Sequence, residues 1–312
     1  KDLVVSKFLG LDLGGTNIKV AVIEKTSNAW KVINEEDVPT QAEKGPAHVV
    51  SRLAEIAARK QKEFSDLSGV GVAVPGLFNA DGTIGLFPNL PGDWPGFQAL
   101  EPIRSATNLP TAIINDARAF TLGEAIMGAA LGKKVVACLV IGTGVGGGIV
   151  IDGKIQLGAN GAAGEIAHQI VKFDGPICGC GARGCAEPLT NSAAIATLAG
   201  TKTAEEAYKN AVAGDEKALA AFKEVAYWIA ITLTNIMVVL VPDTIIIGGG
   251  VAQSGDILLK EIRIAMQERA HLYPVSDINV VPATLGFYAG SIGAALYGAI
   301  TAGAQLSLIS TT

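Results

Sequence analysis

Two stretches decide the fold: LGLDLGGTNIKVAVI, residues 9–23, and LVIGTGVGGGIVIDG, residues 139–153. Each runs from an apolar strand through a turn rich in Gly and Thr into a second apolar strand. The second stretch continues through an Asp-Gly hairpin turn, Asp152–Gly153, into a further strand. No tight period links them, so they mark a structural duplication rather than a repeat array. Two α/β halves that open on the same β-turn-β device suggest two lobes with a cleft between them.

Working outward, strands are expected at Lys7–Leu11, Ile18–Ile23 and Val32–Val38, with Ser27–Asn28 as turn residues before the third. Pro46–Phe64 begins with Pro and spaces Val49, Leu53, Ile56 and Ala57 as a helix does. Gly69–Pro75 reads as a buried strand. The Gly/Pro-rich stretch from Gly76 to about Phe97 has no periodicity, and a loop of that length in a compact domain points to function. TAIIND is a short strand that closes on Asp116, and Ala117–Ala130 is a helix. In the second half, helices are expected around Ala193–Leu198, Thr203–Ala213, Lys217–Leu240 and Ile257–Ala270. Strands fall at TIIIGGGVA and Ile278–Val281, and a terminal helix at Ala289–Ala302.

Composition narrows the classes. The chain has 312 residues, 49% hydrophobic and only 17% charged, so it can bury large cores. The apolar residues are mostly Ala, Val, Ile and Leu, which favours helices on buried parallel strands over a β-sandwich. A net charge of −5 and the lack of any Lys/Arg run argue against nucleic acid as a partner. The first apolar run, Phe8–Leu11, is too short for a signal peptide. Val225–Val241 is uncharged, but it falls short of the usual spanning length and holds Thr232, Thr234 and Asn235, as a buried core helix would. No membrane partner is expected, and the chain reads as cytoplasmic.

Successive N–H groups in a glycine turn form an anion-binding nest. In Asp12–Thr16, a carboxylate precedes Gly14, Gly15 and the Thr16 hydroxyl, a set suited to a cation-bridged phosphate. An ordinary hairpin turn is the plain alternative. Similar turns at Gly142–Gly148 and Gly248–Gly250, each after a buried strand, favour nucleotide binding. Neither a P-loop nor a dinucleotide-binding GxGxxG between strand and helix is present. Asp116 sits where a strand meets a helix, either as a simple N-cap or as a reacting carboxylate. Asn115 beside it suits a polar ligand.

The most unusual segment is GEIAHQIVKFDGPICGCGARGCAE, residues 164–187. Cysteines one residue apart bridge poorly, which disfavours disulfides. His168, Cys178, Cys180 and Cys185 supply the Cys₃His set of a closed, structural zinc site; unrelated thiols are the alternative. Glu165 and Glu187 frame that loop, as polyol-binding carboxylates or as solvated surface groups. Cys138, within an apolar strand, reads as a small buried hydrophobe.

Taken together, DLGGTNIK, VAVPG, PNLPGDW, NDARA, GTGVGGGIV, GEIAHQIV, CGCGARGCAE and IIIGGGVA resemble, in family order, the ROK family of sugar kinases within the hexokinase–actin–Hsp70 ATPase superfamily. The match runs over essentially the whole chain and is most like the bacterial glucokinases. The resemblance implies a two-lobed actin-like ATPase (ribonuclease H-like) α/β fold with nucleotide and sugar in the interlobe cleft. Residues 1–116 with 290–312 would form the small lobe, and 117–289 the large lobe carrying the zinc loop. It implies phosphorylation of glucose or a related hexose at the 6-hydroxyl, with ATP, Mg²⁺ and a structural Zn²⁺, in a homodimer or tetramer. Asp116 would be the general base. Gly76, Asn89, Asn115, Glu165, His168 and Glu187 would hold the sugar, and His168 would also ligate zinc. Asp12, Gly14, Gly15 and Thr16 would address phosphate and Mg²⁺, with Thr143 and Gly144 cradling phosphate and Gly248, Gly249 and Gly250 flanking adenosine. Other hexoses, or polyphosphate as donor, are alternatives. ROK regulators carry an N-terminal DNA-binding domain; with DLGGT at residues 12–16, a kinase rather than a regulator is expected. One departure stands out: the family commonly has E-x-G-H, and this chain reads Glu165-Ile166-Ala167-His168.

Overall fold

A computed structural model describes residues 6–306 apart from 28, 80, 88, 89, 160 and 273, so Asn89 and the turn residue Asn28 lie outside the described residues. The chain divides into two compact units, 1–132 with 285–312, and 133–284. The first begins with strands β1 (Ser6–Leu13), β2 (Asn17–Lys25) and β3 (Trp30–Pro39), helix α1 (Pro46–Glu63) and strand β4 (Leu67–Val74). Short strands β5 (Leu77–Phe78) and β6 (Ile84–Leu86) follow, then helix α2 (Glu101–Thr107), strand β7 (Thr111–Asn115) and helix α3 (Asp116–Met127). The second unit holds β8 (Val135–Ile141), β9 (Val145–Ile151), β10 (Lys154–Ile155), α4 (Glu187–Thr190), α5 (Ser192–Ala199), α6 (Ala204–Val212) and α7 (Glu216–Leu240). It ends with β11 (Thr244–Gly248), α8 (Asp256–Gln267) and β12 (Asn279–Pro282), after which α9 (Ala289–Thr301) belongs to the first unit again.

The main sheets of the two units have the same plan. Their orders are β3-β2-β1-β4-β7 and β10-β9-β8-β11-β12. In each, an antiparallel meander is extended by two parallel strands. This repeated sheet is that of the actin-like ATPase (ribonuclease H-like) fold, and it realises the duplication read from the two glycine turns.

Strand periodicity sorts the first sheet's faces. Leu9, Leu11 and Leu13 of β1 join Val70, Val72 and Val74 of β4, and Val49 and Leu53 of α1, in one buried core. The alternate residues include Gly10 and Gly71, register partners on β1 and β4. There α9 lies so close that a β-carbon on Gly10 would fall 1.8 Å from the Ser291 carbonyl oxygen. The small residues of α9, AGSIGAALYGAIT, permit this approach. Helix α3 packs on α9 as well, and so belongs to the first unit, whereas the sequence had suggested a boundary at residue 116.

In the second unit, Leu139 and Ile141 of β8 and Ile245 and Ile247 of β11 share a core with Phe222, Val225, Ile229 and Leu233 of α7 and with Leu258 and Ile262 of α8. Truncating one such leucine or isoleucine to alanine would cost about 2–5 kcal/mol. Among the described residues, α7 alone is long and apolar enough to cross a membrane. Its buried stripe is shared with β8, β11 and α8, which makes it a core helix of this unit. The stretch read as one long loop from Gly76 contains the β5–β6 hairpin, and α2 follows it. Both are too short to show periodicity.

Candidate functional site

In the first unit, the residues singled out by sequence gather where parallel strands β1, β4 and β7 end. Gly14–Thr16 turn the chain after β1, Gly76 (φ 85°) follows β4, and Asn115–Asp116 join β7 to α3. Ligand sites in open α/β sheets form at such carboxyl ends. The Asn115 side chain caps α3, its Oδ1 accepting the Ala117 and Arg118 N–H groups at 3.1 and 3.3 Å. The N-cap role considered for Asp116 is thus taken by Asn115. Asp116 is the first helical residue, with Oδ1 2.8 Å from the Ala117 nitrogen.

Asp12 lies near the end of β1 on the face covered by α9. Burial pushes its carboxyl up to about 7; the charge of Asp116 adds to this and the Lys19 ammonium opposes it. Two carboxylates near one another raise each other's pKa, and a cation between them would relieve that repulsion. The glycine turn beside them is braced by Thr40, which is fully buried. Its hydroxyl donates to the Gly14 carbonyl at 2.7 Å, and its N–H to the Thr16 carbonyl at 2.8 Å. Sequence reasoning missed Thr40, Lys19 and Gly290; only Gly290 left a trace, in the small-residue run of α9.

In the second unit, parallel strands β8 and β11 end side by side, with Thr143–Gly144 after β8, Gly248 closing β11 and Gly249–Gly250 after it. Gly249 (φ 82°) packs so tightly that a β-carbon would lie 2.3 Å from the Ile141 carbonyl oxygen. One expectation needs correction: the run Gly142–Gly148 is not a single turn. Only Gly142–Gly144 turn the chain, and Gly146, Gly147 and Gly148 are paired within β9. Strand glycines serve close approach there. A β-carbon on Gly147 would meet the Cys138 and Gly164 carbonyl oxygens at 2.7 and 3.2 Å, which lets the backbone before Glu165 lie against β9.

The cysteine loop closes as the sequence suggested. The ligand atoms of His168, Cys178, Cys180 and Cys185 all lie within 4.8 Å of one another. Cys180 and Cys185 sulfurs are 3.7 Å apart, and the Cys178 sulfur is 3.5 Å from His168 Nδ1. Tetrahedral zinc with Zn–S near 2.3 Å places its sulfurs about 3.8 Å apart, so the donors fit that ion. Burial pushes the Cys178 thiol up to about 12, while the Ala182 N–H draws Cys180 down to about 7.

The framing carboxylates meet this loop from both sides. Glu165 Oε2 stands 3.9 Å from His168 Nε2. Glu187 Oε1 accepts the Cys178 thiol at 3.4 Å, and its Oε2 accepts the Val145 N–H at 3.1 Å. Ala167, the departure noted in sequence, is fully buried in the unit's core, so its methyl packs inward.

Known proteins resemble this chain over most of its length. The chain is 33% identical over 310 residues to a glucokinase of Halalkalibacterium halodurans, covering 92% of this chain and 93% of that protein. It is 32% identical over 296 residues to an N-acetylmannosamine kinase of Vibrio cholerae, covering 92% and 97%. A ROK hexokinase structure from Thermus thermophilus aligns with a TM-score of 0.81 at 33% identity, over 94% of this chain and 98% of that one. A ROK family glucokinase from Streptomyces griseus, solved with glucose and AMPPNP, aligns with a TM-score of 0.76 at 28% identity, over 94% and 99%. The ROK family model itself matches residues 8–299, and the chain belongs to the ROK family.

Proposed function

We propose that this protein is a hexose kinase that transfers the γ-phosphoryl group of ATP to the 6-hydroxyl of glucose. The observation that carries this reading is the pair Asp12 and Asp116, two interacting carboxylates at the ends of parallel strands in one sheet. Asp116 is the general base: it takes the 6-hydroxyl proton as that oxygen attacks the γ-phosphorus in line and the bond to ADP breaks. Asp12 would hold Mg²⁺ through its hydration shell, and the ion would supply neutralising charge at the phosphates. Gly14, Gly15 and Thr16 of the first unit, and Thr143 and Gly144 of the second, bind phosphate oxygens through N–H and hydroxyl groups, with Gly248–Gly250 beside the adenosine.

Gly76, Asn89, Asn115, Glu165, His168 and Glu187 are assigned to the sugar hydroxyls. Zinc would be held by His168 Nδ1 with Cys178, Cys180 and Cys185; with every position filled by protein its part is structural, fixing the residues on either side of the loop. The enzyme is proposed to work in the cytoplasm as a homodimer or tetramer.

The Vibrio cholerae relative favours one second reading, an N-acetylhexosamine as acceptor. A coupled ADP-release assay over glucose, mannose, fructose and N-acetylmannosamine decides between them. Glucose is expected to give the highest kcat/KM. Turnover confined to the N-acetylated sugar would move the assignment to the second reading, and no turnover on any hexose would defeat both.

A further inference from the structure

The Thr143–Gly144 turn is exposed, and among the described residues no side chain bonds to Thr143 or Gly144. The turn is closed by the Gly142 N–H, which donates to the Gly144 carbonyl at 2.9 Å. Both flanks, however, are held by one short segment, residues 187–192. The Gly142 carbonyl accepts the Ser192 N–H at 2.9 Å. Val145, 4% exposed, donates its N–H to Glu187 Oε2 at 3.1 Å. The same oxygen lies against the turn itself, since a β-carbon on Gly144 would be 3.2 Å from it.

Segment 187–192 is in turn tied to the cysteine loop. Glu187 follows Cys185, the last of the four donors, by two residues. The Ala186 N–H donates to the Gln169 carbonyl at 3.0 Å, and the Asn191 N–H to the Glu187 carbonyl at 3.0 Å. The segment that carries Glu187 thus joins the metal-ligand loop to the glycine turn.

From this we propose that Glu187 is a positioning residue for nucleotide, apart from any contact with sugar. It fixes the Val145 amide, and through it the conformation in which Thr143 and Gly144 meet phosphate. The inference rests on the kinase reading. It also assigns the turn's amides: Val145 N–H is engaged by Glu187, which leaves the phosphate contacts to Thr143 and Gly144. Glu165, whose carboxylate stands 3.9 Å from His168 Nε2, serves as the comparison.

Titration calorimetry of zinc-loaded protein with Mg-ADP, in the absence of sugar, tests this. Glu187→Ala and Glu187→Asp both leave the buried Val145 N–H without its acceptor, and ADP affinity is expected to fall about ten-fold. Asp serves as the milder variant: it keeps the charge but is one methylene too short. Glu187→Gln retains a carbonyl oxygen for the Val145 N–H and is expected to bind within about three-fold of wild type. Glu165→Ala is expected to bind ADP as wild type does. Wild-type affinity in Glu187→Asp, or an equal loss in Glu165→Ala, would overturn the inference while leaving the kinase reading intact. Failure of the wild-type protein to bind ADP would defeat the kinase reading and the inference with it.

Discussion

Gly290 of α9 stands directly against Asp12 of β1: a β-carbon at position 290 would lie 2.3 Å from Asp12 Oδ2 and 2.8 Å from its Cγ. No real β-carbon approaches another atom that closely, so any side chain at 290 must displace the carboxylate. Packing of α9 over Asp12 contributes to the elevation of its carboxyl, to which the charge of Asp116 adds. Gly290→Ala is therefore expected to fold, since α9 retains its other contacts, and to lose about 10²-fold in kcat/KM through a displacement on the order of 1 Å. Steady-state kinetics alongside a thermal melt checks this; unchanged kinetics would show that Asp12 tolerates the shift.

The Asp12 carboxyl has an ordinary value of 3.8 and is raised to about 7 in the folded protein, chiefly by burial and then by Asp116. A raised carboxyl favours the fold only while it carries its proton. Its contribution is complete below about 4, and is lost as the pH climbs toward about 7. The stability of wild type relative to Asp12→Asn is thus expected to decline from pH 4 to pH 7 and to level off above. Denaturant midpoints for both proteins across that range test it, and parallel curves would contradict it.

The Cys₃His cluster is expected to hold one zinc per chain. Cys180→Ser removes one of the four donors, and is expected to release the metal and lower the melting temperature, because structural zinc contributes on the order of 10 kcal/mol in zinc peptides. Elemental analysis of both proteins reads the outcome; metal-free wild type with full stability would refute the zinc.

Val241 closes α7 with φ 47° and ψ 65°, a left-handed conformation that a β-branched side chain resists. Its side chain is 45% exposed, so little packing compensates. Val241→Gly is expected to stabilise the protein by about 1 kcal/mol, the scale of the left-handed penalty for an L-residue. An equilibrium unfolding curve settles the sign.

The β-turn-β pairs were readable because each strand carries its own alternation and each turn its own glycines. The cysteine loop was readable because its donors lie close in sequence. What sequence could not show depended on distant partners. Thr40 braces a turn 24 residues before it, across to Thr16. The β5–β6 hairpin and α2 were too short to leave a period. Gly146–Gly148 resembled a phosphate nest, since a glycine serving the close approach of Gly164 looks the same in sequence as one serving a turn. The boundary at residue 116 was what the family resemblance implied, whereas the packing of α3 on α9 carries the first unit to Gly132.

The central claim, that Asp116 is the base in sugar phosphorylation, is tested most directly by Asp116→Asn. Glucose binding by calorimetry and kcat by ADP release should be measured on the same preparation. Glucose affinity close to wild type, with kcat lower by at least about 10²-fold, is the expected result. Near-normal turnover in that variant would contradict it.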